Sequence, residues 1–186
     1  MNAKLLSLAL TALALFGCAA QDPLPKSVAE AVRMEAQDAL PLTAFYDPPA
    51  PLPSAAPGSL IRAESFAGYD LPAGASALRI LYHSRNLAGV DVAASGVILI
   101  PQGAPPAGGW PVIAWAHGTI GVARQCAPSL MRDVAYGDEG LMPMVAGGFA
   151  VVAPDYAGLG TPSPHEYENK MAQAYDVVYA DRKSTV

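Results

Sequence analysis

The sequence is poor in charged residues, and the few that it has are not clustered. Lysine, arginine, aspartate and glutamate make up 15% of the 186 residues, and 11 basic against 16 acidic side chains give a formal net charge of -5. Proteins that bind nucleic acid through its phosphates carry a basic patch or stripe, and this chain has neither. We therefore exclude nucleic acid as a partner. With 52% hydrophobic residues, the chain is instead long and apolar enough for one domain with a proper core.

The sequence also has no apolar run long enough to cross a membrane. The run over residues 5–16 falls short of the ~20 residues that a bilayer-spanning helix needs. With Lys4 before it and Gly17-Cys18 after it, this run predicts an export signal over residues 1–18. The junction resembles a bacterial lipobox, which implies cleavage before Cys18, lipid attachment to Cys18 and membrane association. The expected location is then the outer membrane or periplasm.

One residue of this junction departs from the lipobox pattern. Phe16 stands where a small or aliphatic residue is usual. Plain secretion, with Cys18 removed inside the leader, is therefore the alternative. Both interpretations predict an exported protein.

Cysteine is scarce, since the chain has only Cys18 and Cys126. Cysteines of exported proteins usually pair. If Cys18 is consumed by lipidation, Cys126 has no partner in this chain and is predicted to be a free thiol. The other interpretation is a buried thiol that acts as a small hydrophobe. No cluster of residues has the spacing of metal ligands, so neither a metal nor a cofactor is expected.

Residues 19–60 are predicted to form an amino-terminal arm. Ser27 and Glu30 have the spacing of a capping box that starts a helix. The helix would carry a modest apolar stripe, formed by Val28, Val32 and Leu40. The prolines at 48, 49, 51, 53 and 57 exclude a helix and a central strand there, so this part is expected to lie extended over a surface.

Residues 61–186 are predicted to form a partial α/β domain. The β-rich residues 78–84 and 92–100 flank a segment with Asn86 and Gly89, which predicts an antiparallel hairpin at the sheet edge as its first two strands. Two nearly continuous apolar runs follow, at residues 110–121 and 149–155. Such runs are typical of parallel strands that are buried on both faces.

Two helices are predicted around the second apolar run. Asp138 is expected to cap the first one, which passes through Leu141 and Val145 and is closed by Gly147-Gly148. Residues 166–179 are expected to form the other. Strand, helix and strand, with glycine and polar residues at the carboxyl ends of the strands, are typical of a ligand-binding α/β enzyme.

This order of elements resembles the amino-terminal half of an α/β-hydrolase. More narrowly, it resembles the secretory lipase family of the fungal lipase A type and its bacterial homologues. The resemblance extends over residues 45–179. The segments that carry it are Phe45-Tyr46 with Pro48-Pro49, Pro57-Gly58-Ser59-Leu60-Ile61-Arg62, Gly108-Gly109-Trp110-Pro111-Val112, Trp115-Ala116-His117-Gly118-Thr119, Cys126-Ala127-Pro128-Ser129 and Asp155-Tyr156-x-Gly158-Leu159-Gly160-Thr161.

The resemblance implies a triacylglycerol lipase-like carboxylic ester hydrolase of lipid catabolism, with a serine acyl-enzyme mechanism and a lipid or other ester as substrate. In such enzymes one oxyanion donor comes from the loop after the third strand. Here that loop is His117-Gly118-Thr119-Ile120. Gly118 would let the backbone approach the substrate, and the N–H of Thr119 or Ile120 is the candidate donor. The alternative is a tight turn without a catalytic role.

The histidines and Asp155 are assigned structural roles. The triad of this fold runs serine, acid, histidine along the chain, so a histidine ahead of the nucleophile is not its base. His117 is therefore expected to orient its loop, and His83 and His165 are not expected to be catalytic. Asp155 ends an apolar run and is expected to accept hydrogen bonds from loop N–H groups.

The sequence has no G-x-S-x-G pentapeptide, on which the nucleophile of this fold sits. The nearest segment, residues 74–78, has Leu78 where the second glycine is required. The nucleophile, acid and base are expected beyond Val186, and the chain alone is expected to be an inactive fragment that ends before the nucleophile strand. The alternative is a non-catalytic exported lipoprotein or binding module that was derived from the same fold.

Overall fold

A computed structural model describes residues 25–135 and 140–181. The predicted leader with Cys18 and the predicted cap Asp138 lie outside these residues. Five strands form one sheet in the order β1-β2-β3-β5-β4. They are β1 (Leu60–Ser65), β2 (Ser76–Arg85), β3 (Asp91–Ile100), β4 (Val112–Ala114) and β5 (Ala150–Pro154). Neighbouring strands are antiparallel except β4 and β5, which are parallel.

Three α-helices and three short 3-10 turns accompany the sheet. The helices are α1 (Val28–Asp38), α2 (Leu141–Ala146) and α3 (Lys170–Asp181). The 3-10 turns are Ala44–Tyr46, Arg124–Cys126 and Pro128–Leu130. Among the residues that the structure describes, no helix combines the length and the apolar character that a bilayer span requires.

The predicted hairpin is confirmed, but its position in the sheet was predicted wrongly. β2 and β3 pair from Ser76 opposite Ile100 to Arg85 opposite Asp91. β1 pairs with the outer side of β2, so the hairpin lies inside the sheet and β1 forms the edge. The sequence of β1 mixes apolar and charged residues, and no residue of β1 is buried. Its place therefore depends on backbone pairing with β2, which leaves little apolar pattern to recognise.

The two apolar runs give two different strands. All five residues of β5 are buried, as predicted, although Phe149 before it is 39% exposed. The run over residues 110–121 yields only the three-residue β4, and the prediction of a strand buried on both faces is wrong for it. Val112 and Ala114 are exposed and Ile113 is half-buried. The reason is that, among the described strands, β4 has a neighbour on one side only.

The helices begin and end close to the predicted residues, with two corrections. Ser27 caps α1 by accepting the Glu30 N–H at 3.2 Å. Of the predicted stripe, Val28 and Val32 are 81% and 58% exposed, and only Leu40, which follows the helix, packs in the core. α3 begins at Lys170 rather than at residue 166, because the Asn169 side chain accepts the N–H groups of Met171 and Ala172 at 3.1 and 3.2 Å.

The helix before β5 is shorter than predicted. α2 follows Gly140, which has a left-handed conformation and makes no side-chain cap. At the other end Gly147 closes the helix and Gly148 has a φ of 89°, as the predicted Gly147-Gly148 stop requires. The chain then enters β5 directly.

Candidate active site

The carboxyl ends of β4 and β5 lie side by side and lead into two loops, residues 115–121 and 155–161. The Trp115 N–H donates to the Val152 carbonyl at 2.9 Å, which continues the parallel pairing one residue beyond β4. In open α/β sheets this is where ligands bind. A cavity of about 160 Å³ opens here. It is lined by His117, Gly118, Thr119, Ile120, Gly121, Tyr156, Leu159, His165, Tyr167, Glu168 and Gln173.

All four residues of the predicted oxyanion loop line this cavity. Gly118 and Thr119 are exposed, and Ile120 is half-buried. Within the described residues, no hydrogen bond takes up the backbone N–H of Gly118, Thr119 or Ile120. A Cβ built on Gly118 would meet no atom within 4 Å, so the space beside it is open. The loop therefore presents three uncommitted N–H groups next to a cavity of about 160 Å³.

His117 holds the base of this loop. Its Nδ1 lies 2.7 Å from the Gly118 carbonyl oxygen, and its Nε2 lies 3.1 Å from the Asp155 carbonyl oxygen. The Tyr156 hydroxyl donates to the His117 carbonyl at 3.2 Å, and the two rings are 4.2 Å apart between centroids. Burial raises the pKa of Tyr156, so its hydroxyl keeps the proton that it donates. These contacts tie the loop after β4 to the end of β5.

Asp155 is fully buried and fixes a second loop. Its Oδ1 accepts the Ser129 N–H at 2.8 Å, and its Oδ2 accepts the Ser129 and Ser95 hydroxyls, each at 2.6 Å. The expectation that Asp155 binds a loop N–H is confirmed. Burial raises the pKa of the Asp155 carboxyl, while the hydrogen bonds from the two serines and the charge of His117 oppose that rise. Neither Ser95 nor Ser129 was singled out from the sequence as a partner of Asp155.

Asp176 on α3 is a second buried carboxylate, and sequence reasoning missed it. It accepts hydrogen bonds from the Ser84 hydroxyl and, at 2.9 Å, from the Ala157 N–H. Burial raises the pKa of Asp176 to about 7, the bonds from Ser84 and Ala157 lower it, and Glu166 adds to the rise. Asp176 thereby joins α3 to the loop that carries Tyr156. A single aspartate in a helical segment gave no signal of this role.

The remaining histidines and Ser76 lie in other settings. The His83 Nδ1 is 3.1 Å from the Asp91 carboxylate near the turn end of the hairpin. The His165 Nδ1 lies 2.9 Å from the Ala157 carbonyl oxygen at the cavity wall. Ser76 is the exposed first residue of β2, within an antiparallel hairpin. It therefore lacks the strand-turn-helix setting of a nucleophile serine.

Cys126 is a free, half-buried thiol among the residues with described positions. It packs against the cluster around Phe45 and Leu130. A Cβ on Gly121 would lie 2.4 Å from its Sγ, so the end of the cavity loop passes directly over the thiol.

In residues 25–135 and 140–181, no group of three or more His, Cys, Asp or Glu side chains is placed to hold a metal ion.

Solved esterases and lipases share this architecture. A ligand-bound rice cell wall degrading esterase, LipA from Xanthomonas oryzae, is 26% identical with a TM-score of 0.55, over 69% of this chain and 37% of the esterase. Lipase A from Candida antarctica is 21% identical with a TM-score of 0.61, over 77% of this chain and 36% of the lipase. The fold is that of part of an α/β-hydrolase. The predicted fold class is thus confirmed.

The likeness covers only part of each solved structure. The chain spans little more than a third of the length of these solved structures. No protein-family model and no curated protein sequence matches it. The likeness therefore extends to the fold of esterases and lipases, and not to one family among them.

Proposed function

We propose that this chain is the amino-terminal part of an exported serine ester hydrolase of the triacylglycerol lipase type. The observation that carries the proposal is the set of three uncommitted N–H groups at residues 118–120, beside the cavity at the ends of β4 and β5. The shared fold with an esterase and a lipase supports the same chemistry. In this proposal the nucleophile, acid and base lie beyond Val186, and no residue of the chain is catalytic in the strict sense.

The proposed role of the loop is to stabilise the oxyanion of acyl transfer. When a serine attacks an ester, the carbonyl oxygen gains negative charge, and N–H groups fixed in advance stabilise it. His117 contacts the Gly118 carbonyl and Tyr156 donates to the His117 carbonyl, which fixes the peptides that carry the Thr119 and Gly118 N–H groups. The candidate donor at Thr119 therefore needs no rearrangement when the charge develops. The apolar composition and the predicted export signal favour a lipid ester as the substrate.

A covalent serine-hydrolase probe tests the proposal. The protein, in the form that its natural host makes, is treated with a fluorophosphonate and analysed on a gel and by mass spectrometry. We expect one labelled serine, and heat-denatured protein serves as the control. Absence of label on folded protein would falsify the proposal.

Proline substitutions test the donors one at a time. Thr119→Pro and Ile120→Pro each remove one backbone N–H, and Thr119→Ala and Ile120→Ala are matched controls that retain it. Loss of an oxyanion donor is expected to lower kcat by about 10²–10³ with a smaller change in KM. If neither proline lowers kcat more than its alanine control, the loop does not supply the donor.

The lipid anchor is a separate part of the proposal. We propose that Cys18 is the mature amino terminus and that it carries an acyl modification, since Gly17-Cys18 follows the apolar leader. Mass spectrometry of the membrane fraction checks this. An amino-terminal peptide that begins elsewhere and has no acyl mass would exclude the lipoprotein.

The second candidate function is a non-catalytic exported lipoprotein or binding module. The absence of G-x-S-x-G from the 186 residues favours it. The same probe separates the two functions, because a binding module has no activated serine to label. In that case the cavity at residues 117–121 is expected to bind an ester or anion without turning it over.

A further inference from the structure

The ring of His117 faces a carbonyl oxygen on each side. The distances are 2.7 Å from Nδ1 to the Gly118 oxygen and 3.1 Å from Nε2 to the Asp155 oxygen. A carbonyl oxygen only accepts hydrogen bonds, and a neutral imidazole has one N–H to donate. Both contacts are hydrogen bonds only when the ring carries two protons. The observed loop conformation therefore matches the imidazolium form of His117.

Two aromatic rings and one carboxylate lie near the His117 ring. His117 is 8% exposed, and its ring centroid lies 4.2 Å from that of Tyr156 and 6.1 Å from that of Trp115. Aromatic rings attract a neighbouring cation through their negative faces. The charge of His117 also lowers the pKa of Asp155, which means that the two groups attract each other. These contacts are compatible with the doubly protonated ring that the two carbonyl oxygens require.

Other ionisable groups reach the same cavity. Asp155 and Tyr156 face His117 from the end of β5, and His165, Tyr167 and Glu168 line the cavity from the segment before α3. The Asp155 carboxylate and a positive His117 attract each other. A protonated His165 would oppose that positive charge. The two tyrosines contribute no charge in their neutral form.

Two hydrogen bonds, one of them from the His117 ring, control the direction of the Thr119 and Gly118 N–H groups. Because a trans peptide is planar, its C=O and N–H point in opposite directions. The bond from His117 to the Gly118 carbonyl therefore aims the Thr119 N–H, and the bond from Tyr156 to the His117 carbonyl aims the Gly118 N–H. When the ring loses one proton, a nitrogen lone pair faces one of the two carbonyl oxygens, and that contact becomes repulsive.

We propose that His117 is a positioning residue whose doubly protonated ring locks the Thr119 N–H as an oxyanion donor, and that loss of one ring proton releases it. This regulation rests on the proposed ester-hydrolase function of the same loop. It predicts that oxyanion binding weakens as the pH rises through the titration of His117. A catalytic histidine base loses activity in the opposite direction, since it must be neutral to accept a proton.

Nitrogen NMR of the histidine rings tests the coupling without any need for activity. The protein as its natural host makes it is labelled with ¹⁵N, and the ring nitrogens of His117 and the amides of Gly118, Thr119 and Ile120 are followed from about pH 5 to about pH 9. At low pH we expect both His117 ring nitrogens to be protonated and the amides to show the chemical shifts of the loop conformation described above. As the pH rises, the ring and the amides should change with the same midpoint. Amides that stay unchanged while His117 loses a ring proton would overturn the proposal.

Two variants sharpen this measurement. His117→Gln removes the ring, and we expect the pH-dependent amide shifts of residues 118–120 to disappear. His165→Gln is the matched control, because His165 lines the same cavity but has one ring nitrogen on a carbonyl. It should leave those shifts in place. If His165→Gln abolishes them and His117→Gln does not, the titrating group has been misassigned and the proposal fails.

The rate of labelling by the serine probe gives the functional readout. We expect the labelling rate to have a bell-shaped pH profile, and its high-pH limb to fall by at least about tenfold with the midpoint measured for His117. In His117→Gln this high-pH fall should be absent. A labelled protein without such a limb contradicts the proposal. A protein that is not labelled at any pH refutes the ester-hydrolase function, and the NMR titration alone then decides whether His117 controls the loop.

Discussion

Strands β4 and β5 are parallel neighbours with similar apolar sequences, yet only β5 is buried. Val151 in β5 is 0% exposed, whereas Val112 in β4 is 43% exposed. β5 pairs with β3 on one side and β4 on the other, and it contacts both α2 and α3. Among the described strands, β4 pairs with β5 alone.

The difference shows that an apolar sequence makes a strand suitable for burial, whereas the elements packed around the strand determine whether its side chains are buried. The two strands also differ in how firmly they hold the candidate site. The end of β5 is fixed by Asp155 and its serines, and the loop after β4 depends on His117 for its attachment to β5. The predictions below alter each side in turn, from the largest expected effect to the smallest. Unfolding is measured on the protein as its natural host makes it.

Asp155→Ala is expected to be the most damaging single change at the end of β5. It leaves the buried Ser129 N–H without a partner. The Ser129 and Ser95 hydroxyls each lose one hydrogen bond and keep one, to the Tyr46 hydroxyl at 2.9 Å and to the Leu159 carbonyl at 3.3 Å. An unsatisfied buried donor costs about 1–3 kcal/mol and each lost hydroxyl bond about 0.5–1.5 kcal/mol, so we expect a loss of roughly 2–5 kcal/mol in the free energy of unfolding. Urea unfolding measures it, with Ser95→Ala as the milder control. Equal effects of the two changes would contradict this account.

The buried Asp176 should make the stability of the protein depend on pH. Its pKa of about 7 in the fold lies above the ordinary 3.8, so between these values the folded state holds a proton that the unfolded chain has lost. The free energy of unfolding should therefore fall as the pH rises from about 4 to about 7, by a few kcal/mol at most. Asp176→Asn removes this group, and its unfolding curves should depend less on pH over the same window. A variant with the same slope as the parent would exclude Asp176 as the cause.

A matched pair of valine truncations compares the two strands directly. Val151→Ala leaves a cavity under α2 and is expected to lower the free energy of unfolding by roughly 2–3 kcal/mol. Val112→Ala removes the same two methyl groups from an exposed position, and its effect should stay within about 0.5 kcal/mol. Thermal and urea unfolding of both variants give the difference. Similar losses would show that β4 is buried in solution.

The smallest effect on stability, with a large one on solubility, is expected from a charge on β4. An apolar strand with a free edge pairs with other chains, and natural edge strands often carry lysine to prevent this. When residues 1–186 are expressed alone, we expect an insoluble polypeptide that hydrolyses no ester. Val112→Lys should raise the soluble fraction and change the free energy of unfolding by less than about 0.5 kcal/mol. A parent chain that is soluble, monomeric and cooperatively unfolded would contradict the expected aggregation.

Local signals predicted the elements that depend on nearby residues. The hairpin follows from β-rich residues on both sides of Asn86 and Gly89, and the end of α2 follows from Gly147-Gly148. The position of the cavity loop was also predictable, because a polar and glycine-rich break after an apolar strand marks the ligand edge of an α/β sheet.

Distant contacts account for what the sequence did not predict. The burial of Asp176 depends on its hydrogen bond from Ser84, which lies 92 residues away along the chain. No sequence pattern around either residue suggests this pair. The edge position of β1 depends on its pairing with β2, and the exposure of β4 depends on which strands flank it. The two carbonyl contacts of His117 likewise arise only when the ends of β4 and β5 meet.

The placement of Asp155 has a consequence for how the protein folds. Its carboxylate joins a strand residue, Ser95, and a turn residue, Ser129, that lie 60 and 26 residues away in sequence. None of these bonds forms until β5 has docked beside β3, so the order of the turn at residues 126–130 depends on completion of the sheet. Amides of this turn should then exchange with solvent at the rate of global opening rather than as a fraying loop. One buried carboxylate thus makes this turn part of the cooperative core.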